Sequence, residues 1–263
     1  MSMQATALAL GGGAARGWAH IGVIRALMEK NIRITHIAGT SIGAFVGAFA
    51  ATGTLDVLER ELQVFDWKHG LSYFASVPSK TGMLNGRRIT EFLDLHLGAG
   101  DLEKTNIPLQ TVATDLRTGR EIIFSRGNII EAVRASIAVP GIFTPVKKED
   151  LLLVDGGLIN PVPVSTVRKM GARHVIAVDL NKVSVAGDKS IFKNTEPNLL
   201  EIIGASANII QAGLTKSRLT VDPPDILIRP PLAHISFLDF NRGSECIELG
   251  YTTAIESLAE HGI

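Results

Sequence analysis

The chain has 263 residues, of which 46% are apolar and 20% are charged, a composition typical of a globular protein that buries a substantial core. Lysine plus arginine and aspartate plus glutamate both number 26, and this zero net charge argues against a nucleic-acid-binding protein, which carries a basic excess. The single cysteine, Cys246, excludes an internal disulfide framework and fits a reducing compartment.

The N-terminal segment lacks the features of a signal peptide or a membrane span. Residues 1–4 include no basic side chain, and the apolar run at residues 5–10 is too short for the core of a signal peptide. No stretch approaches the ~20 apolar residues that cross a bilayer. We therefore expect a soluble cytoplasmic protein, with peripheral contact at the inner membrane surface left open.

Apolar runs of strand length alternate with segments of helical periodicity, which is typical of βαβ units and a largely parallel sheet. The N-terminal part predicts strands at residues 5–10 and 34–38 and helices at residues 18–30 and 44–51. A glycine cluster follows the first strand, and a Gly-x-Ser-x-Gly segment follows the second.

The later elements continue this alternation. Residues 55–97 are predicted to be mostly helical around a Pro/Ser/Gly-rich interruption at 76–86, a candidate lid loop. Beyond them the sequence predicts a hairpin at 109–113 and 121–124, helices at 129–135, 163–170, 198–219 and 246–261, strands at 151–154, 175–180 and 226–228, and a polar loop at 181–197. No linker separates two cores, so we expect one domain over residues 1–263.

The Gly-x-Ser-x-Gly segment places Ser41 between Gly39 and Gly43, on a predicted strand-to-helix turn. This is the pattern of a nucleophile elbow, where the backbone passes too close to itself for larger residues two positions before and after the serine. In the alternative interpretation Ser41 only caps the following helix.

The glycine cluster Gly11, Gly12 and Gly13 is followed by Ala14 and Arg16, and it opens a helix. Consecutive glycines let backbone N–H groups converge on an anion, either a nucleotide phosphate or the oxyanion of an acyl-transfer intermediate. A dinucleotide site also needs an acid ~20 residues onward at the end of the second strand, and the sequence has none there. The oxyanion interpretation is therefore favoured, with Arg16 either supporting the loop or forming a surface salt bridge.

Asp155 ends an apolar strand and precedes Gly156 and Gly157. An aspartate with its reference pKa of ~3.9 is a weak base for a serine hydroxyl, but burial would raise that value. The alternative is a turn aspartate that binds its own backbone, a role that we also favour for Asp115, while Asp179 is expected to be a cap.

A Ser-His-Asp triad and a metal site are weaker alternatives. Only a histidine that follows Asp155 would complete the usual order, and His234, in a loop, is the best candidate. No HExxH motif and no paired Cys/His ligands are present, so we expect no metal and no other cofactor.

Taken together, these motifs resemble those of the patatin-like phospholipases, and in particular bacterial proteins similar to the neuropathy-target-esterase catalytic domain. The family motif Gly-Gly-Gly-x-x-Arg-Gly matches residues 11–17, Gly-x-Ser-x-Gly matches 39–43, and Asp-Gly-Gly matches 155–157. A further Ala-Ser-x-Ala-x-Pro-x-x-Phe block matches residues within 135–145. The four motifs occur in family order, and the resemblance covers roughly residues 5–182.

This resemblance implies a three-layer α/β/α sandwich with a mainly parallel sheet, formed by one catalytic domain whose core spans about 5–182 and whose helical extension spans about 198–263. It further implies a carboxylic ester hydrolase that uses a Ser41–Asp155 dyad, without metal, on an acyl lipid. Backbone N–H groups of residues 12–14 would hold the oxyanion with support from Arg16, and the 135–145 block would buttress the Asp155 loop.

Two other functions stay open. One is a nucleotide-binding or regulatory module that uses residues 11–17, and the other is a catalytically silent protein that binds a partner through residues 192–219. For the hydrolase, we expect the loop at 71–84 to contribute to the pocket walls that select the acyl chain.

Overall fold

An eight-stranded sheet runs through the part of the chain described by the computed structural model, which comprises residues 5–64, 84–98, 100–181 and 199–263. The strands are β1 (Ala5–Leu10), β2 (Arg33–Thr40), β3 (Leu109–Asp115), β4 (Glu121–Phe124), β5 (Val146–Lys148), β6 (Leu151–Asp155), β7 (Val175–Val178) and β8 (Ile226–Ile228). Their order is β5-β6-β3-β2-β1-β7-β8, and β4 also pairs with β3. Strands β3, β2, β1, β7 and β8 run parallel to one another. Strands β4 and β6 run in the opposite direction, and β5 pairs antiparallel with β6.

Helices cover both faces of this sheet. They are α1 (Ala19–Glu29), α2 (Ile42–Thr52), α3 (Leu55–Val64), α4 (Arg87–Leu97), α5 (Ile129–Ser136), α6 (Val164–Lys169), α7 (Leu199–Val221) and α8 (Gly243–Glu260). Because successive strand residues face opposite sides, Leu8 and Leu10 of β1 enter one core, shared with α1, α2 and α8. Ala7 and Ala9 enter a second core against α6. The predicted α/β sandwich with a mainly parallel sheet is confirmed.

Most predicted elements agree with the structure to within a few residues, and β5 is the one described strand that the sequence did not predict. Its residues Val146–Lys148 contain no apolar run, so pairing with β6 determines its conformation. The predicted lid loop and polar loop lie outside the described residues, apart from residues 84–86 and 181. None of the described helices combines the length and the apolarity that a membrane crossing requires.

The register of three strands brings the candidate site together at one edge of the sheet. Thr40, the last residue of β2, pairs with Val112 of β3, and the next β3 residue, Ala113, pairs with Asp155. Asp155 and Ser41 therefore lie at the same position along the strand direction, on opposite sides of β3. The sequence did not indicate the direction of this strand; β6 runs antiparallel to β3, and Asp155 lies beside the elbow because of this register.

Candidate active site

Ser41 occupies a strained turn between β2 and α2. Its φ of 56° and ψ of −125° lie in a region that residues with side chains rarely adopt. A β-carbon on Gly39 would lie 2.5 Å from the backbone of Ala44, and one on Gly43 would lie 2.8 Å from the carbonyl oxygen of Gly11. Both elbow glycines are therefore required by close backbone contacts.

The hydroxyl of Ser41 donates a hydrogen bond to Asp155, with 2.5 Å between Oγ and Oδ2. Both residues are buried, with 6% and 2% of their surfaces exposed. The interpretation of Ser41 as a mere helix cap is wrong, because its side chain makes no capping hydrogen bond. Asp155 also binds its own turn, as the alternative interpretation expected, since its Oδ1 accepts from the Gly157 N–H group at 2.7 Å.

Burial raises the pKa of Asp155 to about 6, and the hydrogen bonds from Ser41 and Gly157 oppose this rise. At neutral pH most of the side chain is still a carboxylate. Its basicity is nevertheless well above that of an exposed aspartate. A carboxylate with this pKa is a better match for accepting the proton of a serine hydroxyl.

The glycine loop passes directly over Ser41, since a β-carbon on Gly12 would lie 3.3 Å from Ser41 Cβ. The expectation that Gly11 and Gly12 offer free N–H groups was wrong, because these groups donate to the carbonyl oxygens of Val178 at 3.1 Å and Pro161 at 2.9 Å. The N–H groups of Gly13 and Ala14 donate to no acceptor among the described residues. These two groups are the loop's available donors, and Ala14 holds a left-handed φ of 47°.

Two polar side chains that the sequence argument missed fix the carbonyl groups of this loop. His20 Nε2 lies 2.8 Å from the Gly11 oxygen, and Asn181 Nδ2 donates to the Gly12 oxygen at 2.9 Å. Burial lowers the pKa of His20 to about 4, so the ring is neutral and Nε2 carries the hydrogen that it donates. No motif marks either residue, because a lone histidine in a helix and an asparagine after a strand are common.

Arg16 anchors the glycine loop to the C-terminal part of the chain. Its Nε donates to the Ile235 carbonyl oxygen and its guanidinium NH1 donates to Asn208 Oδ1, both at 2.8 Å. The surface salt bridge considered as an alternative was wrong, because only 2% of Arg16 is exposed and this burial lowers its pKa. The described hydrogen bonds of Arg16 thus support the loop and do not reach the dyad.

The 135–145 block holds both members of the dyad in place. Ser136 Oγ accepts from the Ser41 N–H group at 2.9 Å and donates to the Val112 carbonyl oxygen at 2.6 Å. The Ala138 carbonyl oxygen accepts from the Asp155 N–H group at 3.0 Å. The predicted structural role of this block is confirmed.

The remaining candidates lie outside this arrangement. Asp115 shapes its turn, where it accepts from Thr118 Oγ1. Asp179 accepts from the Asn181 N–H group, as a cap does, and from Arg229. His234 is half-exposed and pairs with Glu245 at 2.8 Å. Among the described residues, no cluster of three or more His, Cys, Asp or Glu side chains is placed to hold a metal ion.

An apolar cavity lies beside Ser41. Among the described residues that line it, Ser41 is the sole polar one. The others are Ala14, Trp18, Ile42, Phe45, Leu84, Ile89, Ile137, Val139, Ile142, Phe143, Phe237, Leu238 and Phe240. Leu84 is the one residue of the predicted 71–84 wall that the structure describes, and it lines the cavity. A cavity with this lining suits an apolar group of a ligand next to Ser41.

The chain is similar to known proteins over most of its length. The sequence profile of the patatin-like phospholipases matches residues 8–168. An uncharacterized NTE family protein of Mycobacterium tuberculosis is 39% identical over 198 residues, 75% of this chain and 54% of the relative. Lysophospholipase NTE1 of Pyricularia oryzae is 28% identical over 282 residues, 97% of this chain and 18% of the relative.

Among solved structures, VipD from Legionella pneumophila matches with a TM-score of 0.52 and 14% identity, over 99% of this chain and 67% of VipD. At this identity the likeness concerns the fold. The chain spans about half, or less, of the length of the curated relatives named above.

Proposed function

Because the chain belongs to the patatin-like phospholipase family, we propose that it is a serine acyl hydrolase that cleaves carboxylic esters of lipids, with phospholipids or lysophospholipids as substrates. The observation that carries this proposal is the Ser41–Asp155 hydrogen bond at the end of an apolar cavity. A nucleophile, its base and an acyl site coincide there.

In the first half-reaction, Asp155 accepts the hydroxyl proton of Ser41 while Oγ attacks the ester carbonyl carbon. The oxyanion that forms accepts hydrogen bonds from the free N–H groups of Gly13 and Ala14. As the intermediate collapses, the bond to the alkoxy oxygen breaks and Asp155 returns the proton to the departing alcohol. Water then hydrolyses the acyl-enzyme and releases the fatty acid.

The apolar cavity supports lipid esters as the substrate class. Each methylene group of an acyl chain that leaves water for such a cavity contributes about 0.8 kcal/mol to binding. Short and long acyl esters should therefore differ mainly in KM. The polar headgroup would remain outside this part of the site, where no charged side chain lines the cavity among the described residues.

We also propose that the protein meets its substrate at a lipid surface. Helix α7, which packs over the dyad, has large apolar side chains on its outer face. They are Leu199, Ile202, Ile209 and Ile210. Exposed apolar patches of this kind mark contacts with membranes or other proteins.

A nucleotide-binding or regulatory module has less support. The Gly11 and Gly12 N–H groups that would hold a phosphate already donate to backbone carbonyls. A catalytically silent partner-binding protein has less support too, since the short Ser41–Asp155 contact has no structural necessity. The partner surface expected at 192–219 lies in part outside the described residues.

The proposal is tested with a fluorophosphonate probe and with p-nitrophenyl esters of increasing acyl length. The wild-type protein is expected to be labelled once, and Ser41→Ala is expected to lose both labelling and hydrolysis. His234→Ala serves as the control, with labelling and kcat within about twofold of wild type. Labelling that survives in Ser41→Ala would refute the assignment of the nucleophile, and loss of activity in His234→Ala would restore the triad.

A further inference from the structure

Helix α7 buries a row of polar residues, whereas an ordinary surface helix buries apolar ones. Asn208, Gln211 and Thr215 are buried, with 7%, 6% and 2% of their surfaces exposed. They lie three and four residues apart and so share one face of the helix. Asn208 accepts a hydrogen bond from Arg16. Gln211 does not bind Arg16, so its burial has a different cause.

The hydrogen bonds of Asn181 fix the orientation of the Gln211 amide. Asn181 Nδ2 donates both to the Gly12 carbonyl oxygen at 2.9 Å and to Gln211 Oε1 at 2.8 Å. A carbonyl oxygen can only accept, so the Asn181 atom that faces Gly12 must be nitrogen. The Gln211 atom that faces Asn181 is therefore oxygen, and the Gln211 nitrogen is turned the other way.

That nitrogen lies beside the base of the dyad. Asp155 Oδ1 is 2.9 Å from the point where a β-carbon on Gly157 would stand, and Gln211 Nε2 is closer still to that point. The two atoms form no direct hydrogen bond, and Nε2 donates to no acceptor among the described residues. Because both atoms lie within 2.9 Å of that point, one water molecule can bridge them.

We propose that Gln211 positions the water that hydrolyses the acyl-enzyme, an assignment that rests on the proposed function of Ser41 and Asp155. One Nε2–H group donates to the water oxygen, and the water donates one hydrogen to the Asp155 carboxylate. Because Nε2 donates to no acceptor among the described residues, its N–H groups are available to this water.

The second half-reaction then balances as follows. Asp155 accepts a proton from the water as the water oxygen bonds to the acyl carbonyl carbon. The resulting oxyanion collapses and breaks the bond between that carbon and Ser41 Oγ. Asp155 returns the proton to Oγ, and the fatty acid leaves. Gln211 gains and loses no proton, so it acts as a positioning residue and not as an acid or a base.

The test separates acylation from deacylation in the full chain. Gln211→Met keeps the volume of the side chain but removes its donor. With p-nitrophenyl esters, we expect the pre-steady-state release of nitrophenol and the rate of fluorophosphonate labelling to stay within about twofold of wild type, since neither step uses water. Steady-state kcat should fall at least about tenfold, so that a burst of about one nitrophenol per active site precedes slow turnover.

Thr215→Val is the matched control, because Thr215 lies one turn further on the same buried face and its hydroxyl has no partner among the described residues. Its kcat should match wild type, and thermal melting should show that both variants fold. An unchanged kcat in Gln211→Met, or an equal fall in burst rate and kcat, would overturn the assignment of Gln211. A wild-type protein that is not labelled at all would instead overturn the proposed function itself.

Discussion

Helices α2 and α7 both pack against the dyad, but they are built in opposite ways. Helix α2 starts directly after Ser41, and every residue from Ile42 to Ala51 is buried among apolar neighbours. Helix α7 buries polar residues such as Gln211 and exposes apolar ones such as Leu199, which is 68% exposed. Backbone packing therefore holds the nucleophile, whereas side-chain hydrogen bonds hold the helix that covers it.

This difference separates two kinds of constraint. On the α2 side, glycines at close backbone contacts leave no room for any other residue, so the geometry of the elbow tolerates no substitution. On the α7 side, individual side-chain contacts can be exchanged one at a time. Substitutions in the two helices should consequently differ in both the size and the sign of their effects.

Asp155→Asn should give the largest effect on activity, with kcat at least about a thousandfold below wild type because the base is lost. Its effect on stability should have the opposite sign. Burial raises the folded-state pKa from 3.8 to about 6, so folded-state stability falls as pH rises between these values. At pH 7 the charged side chain costs about 3 kcal/mol, and Asn removes much of that cost. Urea unfolding at pH 7 measures the gain.

Asp115→Asn is the matched control for the predicted sign of the stability change. Hydrogen bonding from Thr118 lowers the pKa of Asp115 in the folded state, so its charge contributes stability at neutral pH. The Asn variant should therefore be less stable than wild type and should keep its activity. A loss of stability in Asp155→Asn as well would contradict the burial argument.

Gly43→Ala should unfold the protein or destabilise it by at least about 4 kcal/mol, because the added methyl group would strike the backbone carbonyl of Leu10. Gly213→Ala in α7 offers the contrast, since among the described residues nothing outside its own helix lies within 4 Å of the added methyl group. In a helix interior it should stabilise by roughly 0.5–1 kcal/mol. Thermal melting of both variants checks the pair, and similar effects at the two glycines would remove the distinction between the helices.

Arg16→Met should destabilise the protein by about 3 kcal/mol, because it leaves Asn208 Oδ1 and the Ile235 carbonyl oxygen buried without their donor. The loss should also raise hydrogen exchange in α7 more than in α2. Arg60→Met, at an exposed pair with Asp56, should change stability by less than about 0.5 kcal/mol. Exchange that rises equally in both helices would show that Arg16 does not tie α7 to the core.

Much of the α2 side could be predicted from the sequence. Gly39, Gly43 and Gly156 occur at fixed spacings from Ser41 and Asp155, because close backbone contacts leave a visible pattern of glycines. The strand before Asp155 was predicted from its apolar residues. Its antiparallel direction was not, since an apolar run does not reveal which way a buried strand runs.

The α7 side could be predicted only in outline. The helix itself was expected at 198–219, close to its observed bounds Leu199–Val221. Its orientation was hidden, because periodicity assigns the apolar face to the core and here Ile209 and Ile210 point outward. Gln211 and Asn181 gave no signal either, as a polar side chain reveals a role only once its partners are known.

The pH dependence of kcat/KM for a neutral ester should follow the protonation of Asp155, the proposed base. Activity needs the Asp155 carboxylate, so the rate should fall about tenfold per pH unit below pH 6, which is where burial places this pKa. His20, whose pKa is lowered to about 4, stays neutral over most of that range. An identical profile in His234→Ala would exclude that histidine as the titrating group, whereas a flat profile down to pH 4 would contradict the raised pKa.

The smallest effects on stability should come from the outer face of α7. Ile209→Ser, at a side chain that is 61% exposed, should change the free energy of unfolding by less than about 0.5 kcal/mol. Phe49→Ala, at a fully buried position of α2, should cost about 3–5 kcal/mol. Ile209→Ser should also keep its activity on a soluble p-nitrophenyl ester and lose activity severalfold on phospholipid vesicles, because the removed apolar surface contacts the lipid. Equal loss of activity on both substrates would show that Ile209 stabilises the site and does not contact the lipid.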